Sequence, residues 1–274
     1  MPSLLALKNR KKVIETIHRA SSAMKAVASM RVRKLEKFIA DFETPKSMIE
    51  NVSSCVLEAI FLPHVMNKDS NTKAEIMIGC DSGMCGDFAN VIKNYFTIHS
   101  KDKPKNLWIL FGAKLESLAD KLRFFYSGKI SVDAGYVMEA AISLYEFIEQ
   151  HKIVELTIHY STKFGIQTMT ILSKHMMEAA FIKNEELKND IFQENKIDFD
   201  EICAGYGYFY LANKLYQVFL ESMYQENRQR ILAMTQAKTN AEDMGKIIDR
   251  LYNRARQEKI TMELNEIASS VMEQ

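Results

Sequence analysis

Ten consecutive residues have types that could do chemistry together: Gly79-Cys80-Asp81-Ser82-Gly83-Met84-Cys85-Gly86-Asp87-Phe88. They follow a short apolar run and precede a helical stretch, the place where a glycine-rich turn lets backbone amides cradle a phosphate. The spacing speaks against that use. There is no GxxxxGK[ST], the glycines do not fall as GxGxxG, and no lysine stands where it would meet a β- or γ-phosphate. Ser82 is not set in GxSxG, the frame of a nucleophile elbow. The six histidines (His18, His64, His99, His151, His159, His175) include no HExxH or comparable ligand pair. Of the four cysteines, Cys55, Cys80, Cys85 and Cys203, none forms the close CxxC spacing of a zinc site. The stretch therefore reads as a tight βα turn with reduced structural thiols, and no catalytic, cofactor-binding or metal-ligating residue is expected.

The elements around the turn divide into two ends and a middle. Few of the 4 prolines and 10 glycines fall near the ends, which read as long helices. On the first, Ile14, Ile17, Ser21, Met24, Ala28, Arg31, Leu35, Phe38 and Phe42 follow alternating steps of three and four, with Arg31 the one charged intruder. On the last, Met234, Ala237, Ala241, Met244, Ile248, Leu251, Ala255, Glu258 and Met262 do the same, and Leu211, Leu215, Phe219 and Met223 begin a similar stripe. Such seams pair helices, and alanines let the backbones approach closely, so an antiparallel left-handed coiled coil of the chain's two ends is expected. At ~1.5 Å per residue a helix from Ser3 to Ile60 would run roughly 87 Å and one from Tyr208 to Met272 roughly 97 Å. Pro45 should kink or end the first helix, because it lacks an amide and its ring clashes with the preceding turn.

The middle alternates differently. Ala74 to Cys80, Leu107 to Gly112, Ile153 to Tyr160 and Phe164 to Ser173 read as strands, with helices over Asp87 to His99, Lys114 to Arg123 and Gly135 to Gln150. This order predicts a small, mostly parallel, Rossmann-like α/β sheet. Residues 183–201 are polar and acidic and read as a surface loop or sheet edge. The expected division is residues 1–60 for the amino-terminal coiled-coil helix, 74–205 for a central α/β domain and 206–274 for the carboxyl-terminal coiled-coil helix.

Charge is the most informative bulk feature. Lys+Arg (36) nearly cancels Asp+Glu (35) over the chain, yet residues 1–37 hold ten Lys/Arg against only Glu15 and Glu36. One end is strongly basic. A nucleic-acid helix would interleave aromatics with these cations, and a membrane-surface helix would carry Trp or Phe on its apolar face. An acidic protein partner fits better. A basic coiled-coil scaffold for nucleic acid and a mononucleotide-dependent enzyme built on the middle domain stay open as alternatives. The longest stretch without a charged side chain, Ile202 to Asn213, is 12 residues, short of the ~18 needed to span a bilayer. The start, MPSLLALKNRKK, lacks the apolar run of a secretory signal, so the chain is expected to stay where it is made.

Three separated stretches resemble one family, the gamma subunits of F-type ATP synthase. Ile17-His18-Arg19-Ala20-Ser21-Ser22-Ala23-Met24-Lys25-Ala26-Val27-Ala28 is similar to that family's I-x-K-I-T-x-A-M-x-x-V-A helix, and Pro45 falls where members carry a proline. Cys80 to Phe88 is similar to S-D-R-G-L-C-G-G-[LF]. The last 60 residues fit without a gap, through Ala233-Met234, Asn240, Tyr252-Asn253, Ala255-Arg256-Gln257 and Ile260 to Ile267. The departures are Ser82 for the turn's arginine, Asp87 for its second glycine, Lys46 for an aromatic after the proline, and Ser270-Val271 for a terminal Gly-Ala. The chain also lacks the cysteine-bearing insertion of chloroplast members.

The resemblance implies a non-catalytic rotor shaft that takes no cofactor, standing in a hexamer of alpha and beta subunits. Its middle domain would meet the epsilon subunit and the ring of c subunits. It implies that Met24 and Lys25 meet acidic loops of beta, and that Arg256, Gln257 and Thr261 hydrogen-bond beta's catch region. With no transit peptide apparent, it places the complex at a bacterial plasma membrane, with this chain peripheral on the cytoplasmic side. Coupling of proton- or sodium-driven rotation to ATP synthesis is the function it implies.

Overall fold

A computed structural model describes residues 3–60, 71–115, 118, 124–173 and 199–272. Two compact units divide it: Met1–Met30 with Arg228–Gln274, and Arg31–Asn227. Two helices run through both, α1 (Leu4–Ile60) and, numbered in chain order, α4 (Phe199–Met272).

In the first unit α1 and α4 pair antiparallel. Lys11 Nζ meets Asp249 Oδ1 at 2.7 Å and His18 Nε2 meets Glu242 Oε1 at 3.0 Å, so seven residues forward on α1 are seven residues back on α4. Seven residues are two turns of a seam that returns every 3.5. Leu7, Ser21 and Ala28 are buried from α1, and Met234, Ala241 and Ile248 from α4. Gly245 faces Ile14, where an added Cβ would make ordinary contact at 3.8 Å. The α1 start is capped: Ser3 Oγ accepts from Ala6 N at 3.2 Å, satisfying one of the first turn's free amides.

The seam is displaced from the expected one at alternate positions. Ile14, Ser21, Ala28 and Leu35 face inward as predicted, but Ile17, Met24 and Arg31 are exposed, and His18, Lys25 and Val32 are half-buried in their place. On α4, Met244, Leu251 and Met262 are exposed, while Gly245 and Tyr252 take the inner positions. Steps of four-then-three and three-then-four both average 3.5, so the spacing alone does not choose between neighbours. Apolarity favours Ile17 and Met24, but long polar side chains can lay their stems along a seam and carry their heads to its edge. His18 does this when it reaches Glu242.

The second unit holds a five-stranded sheet in the order β3-β2-β1-β4-β5. Its strands are β1 (Thr72–Ile78), β2 (Leu107–Phe111), β3 (Phe124–Gly128), β4 (Ile153–Thr162) and β5 (Gly165–Leu172), with helices α2 (Phe88–Asp102) and α3 (Ala134–His151). β1, β2, β3 and β4 pair in parallel, and β5 runs antiparallel at the β4 edge. From Ala74 to Ile78 every β1 residue is buried, as expected of a central parallel strand covered on both faces. One face packs Ile76, Ile78, Ile109 and Phe111 against α3 and against Leu211, Leu215, Val218 and Phe219 of α4. The other packs Met77, Trp108 and Leu110 against Ile92 and Phe96 of α2, with Phe96 edge-on to Trp108 at 5.1 Å. α3 is stopped at both ends. Asp133 Oδ1 accepts from Tyr136 N at 3.0 Å, and Lys152 closes the helix in the left-handed conformation.

The fold is therefore an α/β protein with an antiparallel coiled coil of its terminal helices and a small Rossmann-like sheet between them in sequence. Four strands and two middle helices lie within a few residues of expectation. β3 was not expected. Leu211, Leu215 and Phe219 enter the sheet's core rather than extending the seam. α1 continues through Pro45 to Ile60 instead of ending there. Most of the helix expected over Lys114 to Arg123 and nearly all of the loop expected over 183–201 lie outside the described residues.

Candidate functional site

The turn after β1 is built around Asp81. Its Oδ1 accepts from Ala113 N and its Oδ2 from Ile130 N, both at 3.0 Å. Those amides lie just past the carboxyl ends of β2 and β3, where an anionic ligand would be met in folds of this class, and here they are bonded to the chain's own carboxylate. The turn is tight. Met84 and Gly86 have φ of 60° and 63°, and a Cβ on Gly112 would lie 2.8 Å from Cys80 N. Ser82 Oγ donates to Glu226 Oε1 at 3.0 Å. Neither Cys80 nor Cys85 is in a disulfide, and both are buried. The adjoining Cys85 thiol, and after it burial, push the Cys80 thiol far above its ordinary range.

A second cluster escaped the sequence reading. Glu75, in the middle of β1, accepts from Lys103 Nζ at 2.6 Å and from Asn106 Nδ2 at 2.8 Å through Oε1. Its Oε2 lies 2.6 Å from His159 Nε2, and His159 Nδ1 lies 3.0 Å from Tyr95 OH. Burial alone would raise the Glu75 carboxyl, but the hydrogen bonds from His159 and Lys103 outweigh it and hold the group below its usual range. The only hint in the sequence is one acid inside each of two apolar runs, AEIMIGC and IVELTIHY, with a histidine in the second. The cluster borders an open cavity of about 410 Å³ whose other charges include the ion pair of Lys73 with Glu155. Its charges are matched among themselves, which suits a structural tie better than a ligand site.

The five residues expected to touch partners fall in two places. Met24 is exposed, and Lys25 is half-buried at the seam. Arg256, Gln257 and Thr261 are exposed on α4, and Thr261 Oγ1 donates to the Gln257 carbonyl at 3.0 Å. The structure does not bring the two groups together. Two heptads beyond the Lys11–Asp249 pair, Lys25 lies across from Thr235, ~30 Å along the helix from Arg256. Arg254 pairs with Glu258 and Lys259 with Glu263, whereas Arg256 has no ion pair among the described residues. Of the ten cations in residues 1–37, Lys11 alone has an ion pair among the described residues. From Lys259 to Ser269 every α4 residue is exposed, including Ile260, Met262, Leu264 and Ile267.

Long antiparallel terminal helices with a small, mostly parallel sheet between them in sequence define the class of fold. The comparisons make the class specific. A family model described as ATP synthase matches residues 3–272, and the chain belongs to that family. It is similar to the ATP synthase gamma chain of Clostridium kluyveri, 27% identical over 96% of this chain and 95% of that one. It is also similar to that of Bacteroides fragilis, 26% identical over 99% and 100%. Among solved structures, its fold is similar to a chain in the mitochondrial ATP synthase OSCP/F1/c-ring of Euglena gracilis, with a TM-score of 0.69 and 16% identity over 98% of this chain and 93% of that one. A chain of the same organism's rotor gives a TM-score of 0.64 and 15% identity over 94% and 98%.

Proposed function

We infer that this chain is the central-stalk rotor subunit of an F-type ATP synthase, coupling ion-driven rotation to ATP synthesis. The observation that carries the reading is the similarity to ATP synthase gamma chains over nearly the whole of both chains. On this reading the chain does no catalysis. Its coiled coil stands in the alpha/beta hexamer, where its asymmetric surface sets the nucleotide sites in different states, and the sheet-bearing unit meets epsilon and the c ring. The uncommitted cations of α1 suit a surface that passes acidic loops without one deep minimum. Met24 and Lys25 meet those loops, and Arg256, Gln257 and Thr261 meet beta's catch region, where a guanidinium offers a planar donor fork to carboxylates. No described helix is long and apolar enough to cross a membrane, which is compatible with peripheral attachment through the complex on the cytoplasmic side of a bacterial membrane.

Affinity purification of the tagged chain from native membranes tests the reading. Alpha, beta and epsilon should co-purify with ATPase activity, while the isolated chain should have none. Turnover by the pure, monodisperse chain, or recovery without alpha and beta, would overturn it.

A further inference from the structure

Consecutive residues anchor the turn after β1 in two directions. Asp81 ties it to the sheet through Ala113 N and Ile130 N, and Ser82 ties it to α4 through Glu226. Glu226 is 5% exposed, so the bond is largely shielded from water.

α4 changes character at this point. From Leu211 to Phe219 its buried side chains are mainly apolar and sit in the sheet's core. From Ser222 to Asn227 the fully buried ones are polar: Ser222, Gln225, Glu226 and Asn227. Gln225 Nε2 donates to Glu221 Oε1 at 3.3 Å and Asn227 Nδ2 to the Met223 carbonyl at 2.8 Å, bonds internal to the helix. Ser82 to Glu226 joins the helix to the turn. Interlocked apolar side chains already resist a turn of the helix about its axis, though apolar burial itself sets no direction. A hydrogen bond weakens steeply as its angle departs from linear, so it opposes that turn.

We propose that the Ser82–Glu226 hydrogen bond is a torsional stay, a pair of positioning residues that resists twisting of α4 against the sheet at the last helical turn of this unit. The proposal rests on the rotor reading, since only in a rotor does twist about α4 carry load. An arginine substituted at position 82 would offer Glu226 a charged donor, and charge-assisted hydrogen bonds are roughly twice as strong as neutral ones.

The test uses the complete complex with its hexamer fixed to a surface and a bead on the β4–β5 hairpin, where Phe164 is 78% exposed. The angular variance of the bead is recorded during the ATP-waiting dwell for wild type, Ser82→Ala and Ser82→Arg. Expected is a larger variance for Ser82→Ala and a smaller one for Ser82→Arg, at unchanged saturating ATP turnover. Glu226→Gln keeps an acceptor oxygen and should lie between wild type and Ser82→Ala. Equal variance in all four complexes overturns the proposal and leaves the rotor reading intact. So does a change in variance that only accompanies lost turnover, because it reports damaged assembly. A wild-type complex that binds this chain but never rotates overturns the rotor reading itself.

Discussion

Glu75 and His159 lie 2.6 Å apart, carboxylate oxygen to imidazole nitrogen, with 4% and 2% of their side chains exposed. Each comes from a different strand, and Lys103 reaches the same carboxylate from the loop after α2. The pair therefore ties β1, β4 and the α2–β2 connection at one buried point. Leaving buried hydrogen-bonding groups without a matched partner costs about 1–3 kcal/mol. Lys103 is 42% exposed on its side chain and can recover water, and glutamine keeps an acceptor oxygen, so Glu75→Gln should cost ~2 kcal/mol. Denaturant unfolding of the full chain, followed by Trp108 fluorescence, measures it.

The same carboxylate gives stability a pH dependence. Its folded pKa is lowered, so it binds its proton less readily in the folded state than in the unfolded one. The contribution is fully present above the ordinary carboxylate pKa of about 4.3 and is lost as pH falls through the folded value. Melting temperature should drop between neutral and acid pH more in wild type than in Glu75→Gln. Parallel curves for the two would show that Glu75 is not the source.

Gly112 and Gly165 both have φ near +110°, so alanine is strained at either, by about 1–3 kcal/mol. They differ in what surrounds them. A Cβ at Gly112 lands 2.8 Å from the Cys80 backbone nitrogen, whereas one at Gly165 meets nothing within 4 Å. Gly112→Ala should therefore lower the denaturation midpoint clearly more than Gly165→Ala.

Cys80 and Cys85 should behave as structural thiols. The Cys85 thiol, and after it burial, disfavour the thiolate of Cys80, which is the reactive form, and Cys85 is itself buried. Native labelling with an alkylating reagent should leave both unmodified until denaturant is added. If oxidant changed ATPase activity of the complex several-fold, and Cys85→Ser abolished the effect, the assignment would be wrong.

Arg256 should matter only in the assembly. A charge-assisted contact from a partly buried arginine is worth about 1.5–3 kcal/mol, and lysine cannot reproduce its planar fork. Arg256→Ala and Arg256→Lys should both lower ATP turnover and gel-filtration yield of the complex, with no change in melting of the sheet-bearing unit. Equal turnover and yield would make Arg256 a solvated residue.

Periodicity and strand composition were enough to locate α1, α2, α3, α4 and most of the sheet, because burial leaves a repeating mark on a sequence. The seam was half legible. Ile14, Ser21, Ala28 and Leu35 are recovered by spacing, but choosing His18 over Ile17, or Lys25 over Met24, needs the partner helix, since it is Glu242 that gives His18 its place. β3 was missed because Phe124 to Gly128 ends in Ser127-Gly128, whereas β2, equally five residues long, is apolar throughout. The Glu75–His159 tie was illegible for a different reason: its members are 84 positions apart and meet only when β1 and β4 pair. The five residues that resemblance assigns to partners carry no mark of their own, because an exposed arginine looks the same in sequence whether or not another chain waits for it.

The uncovered end of α4 bears on how such a chain must be assembled. From Lys259 to Ser269 every residue of the helix is exposed, and the ion pair within the stretch, Lys259 with Glu263, is the kind of contact that adds only ~0.3–0.5 kcal/mol. These turns continue α4 and need no nucleus of their own, but the end turns of a helix fray where packing does not hold them. Before assembly these turns should fray, and their amides should exchange with solvent quickly. Once enclosed they should be ordered, so part of the enclosing energy goes into folding the segment and the net grip is correspondingly light. A tip that is stiff when seated but weakly held suits a part that has to turn in its socket.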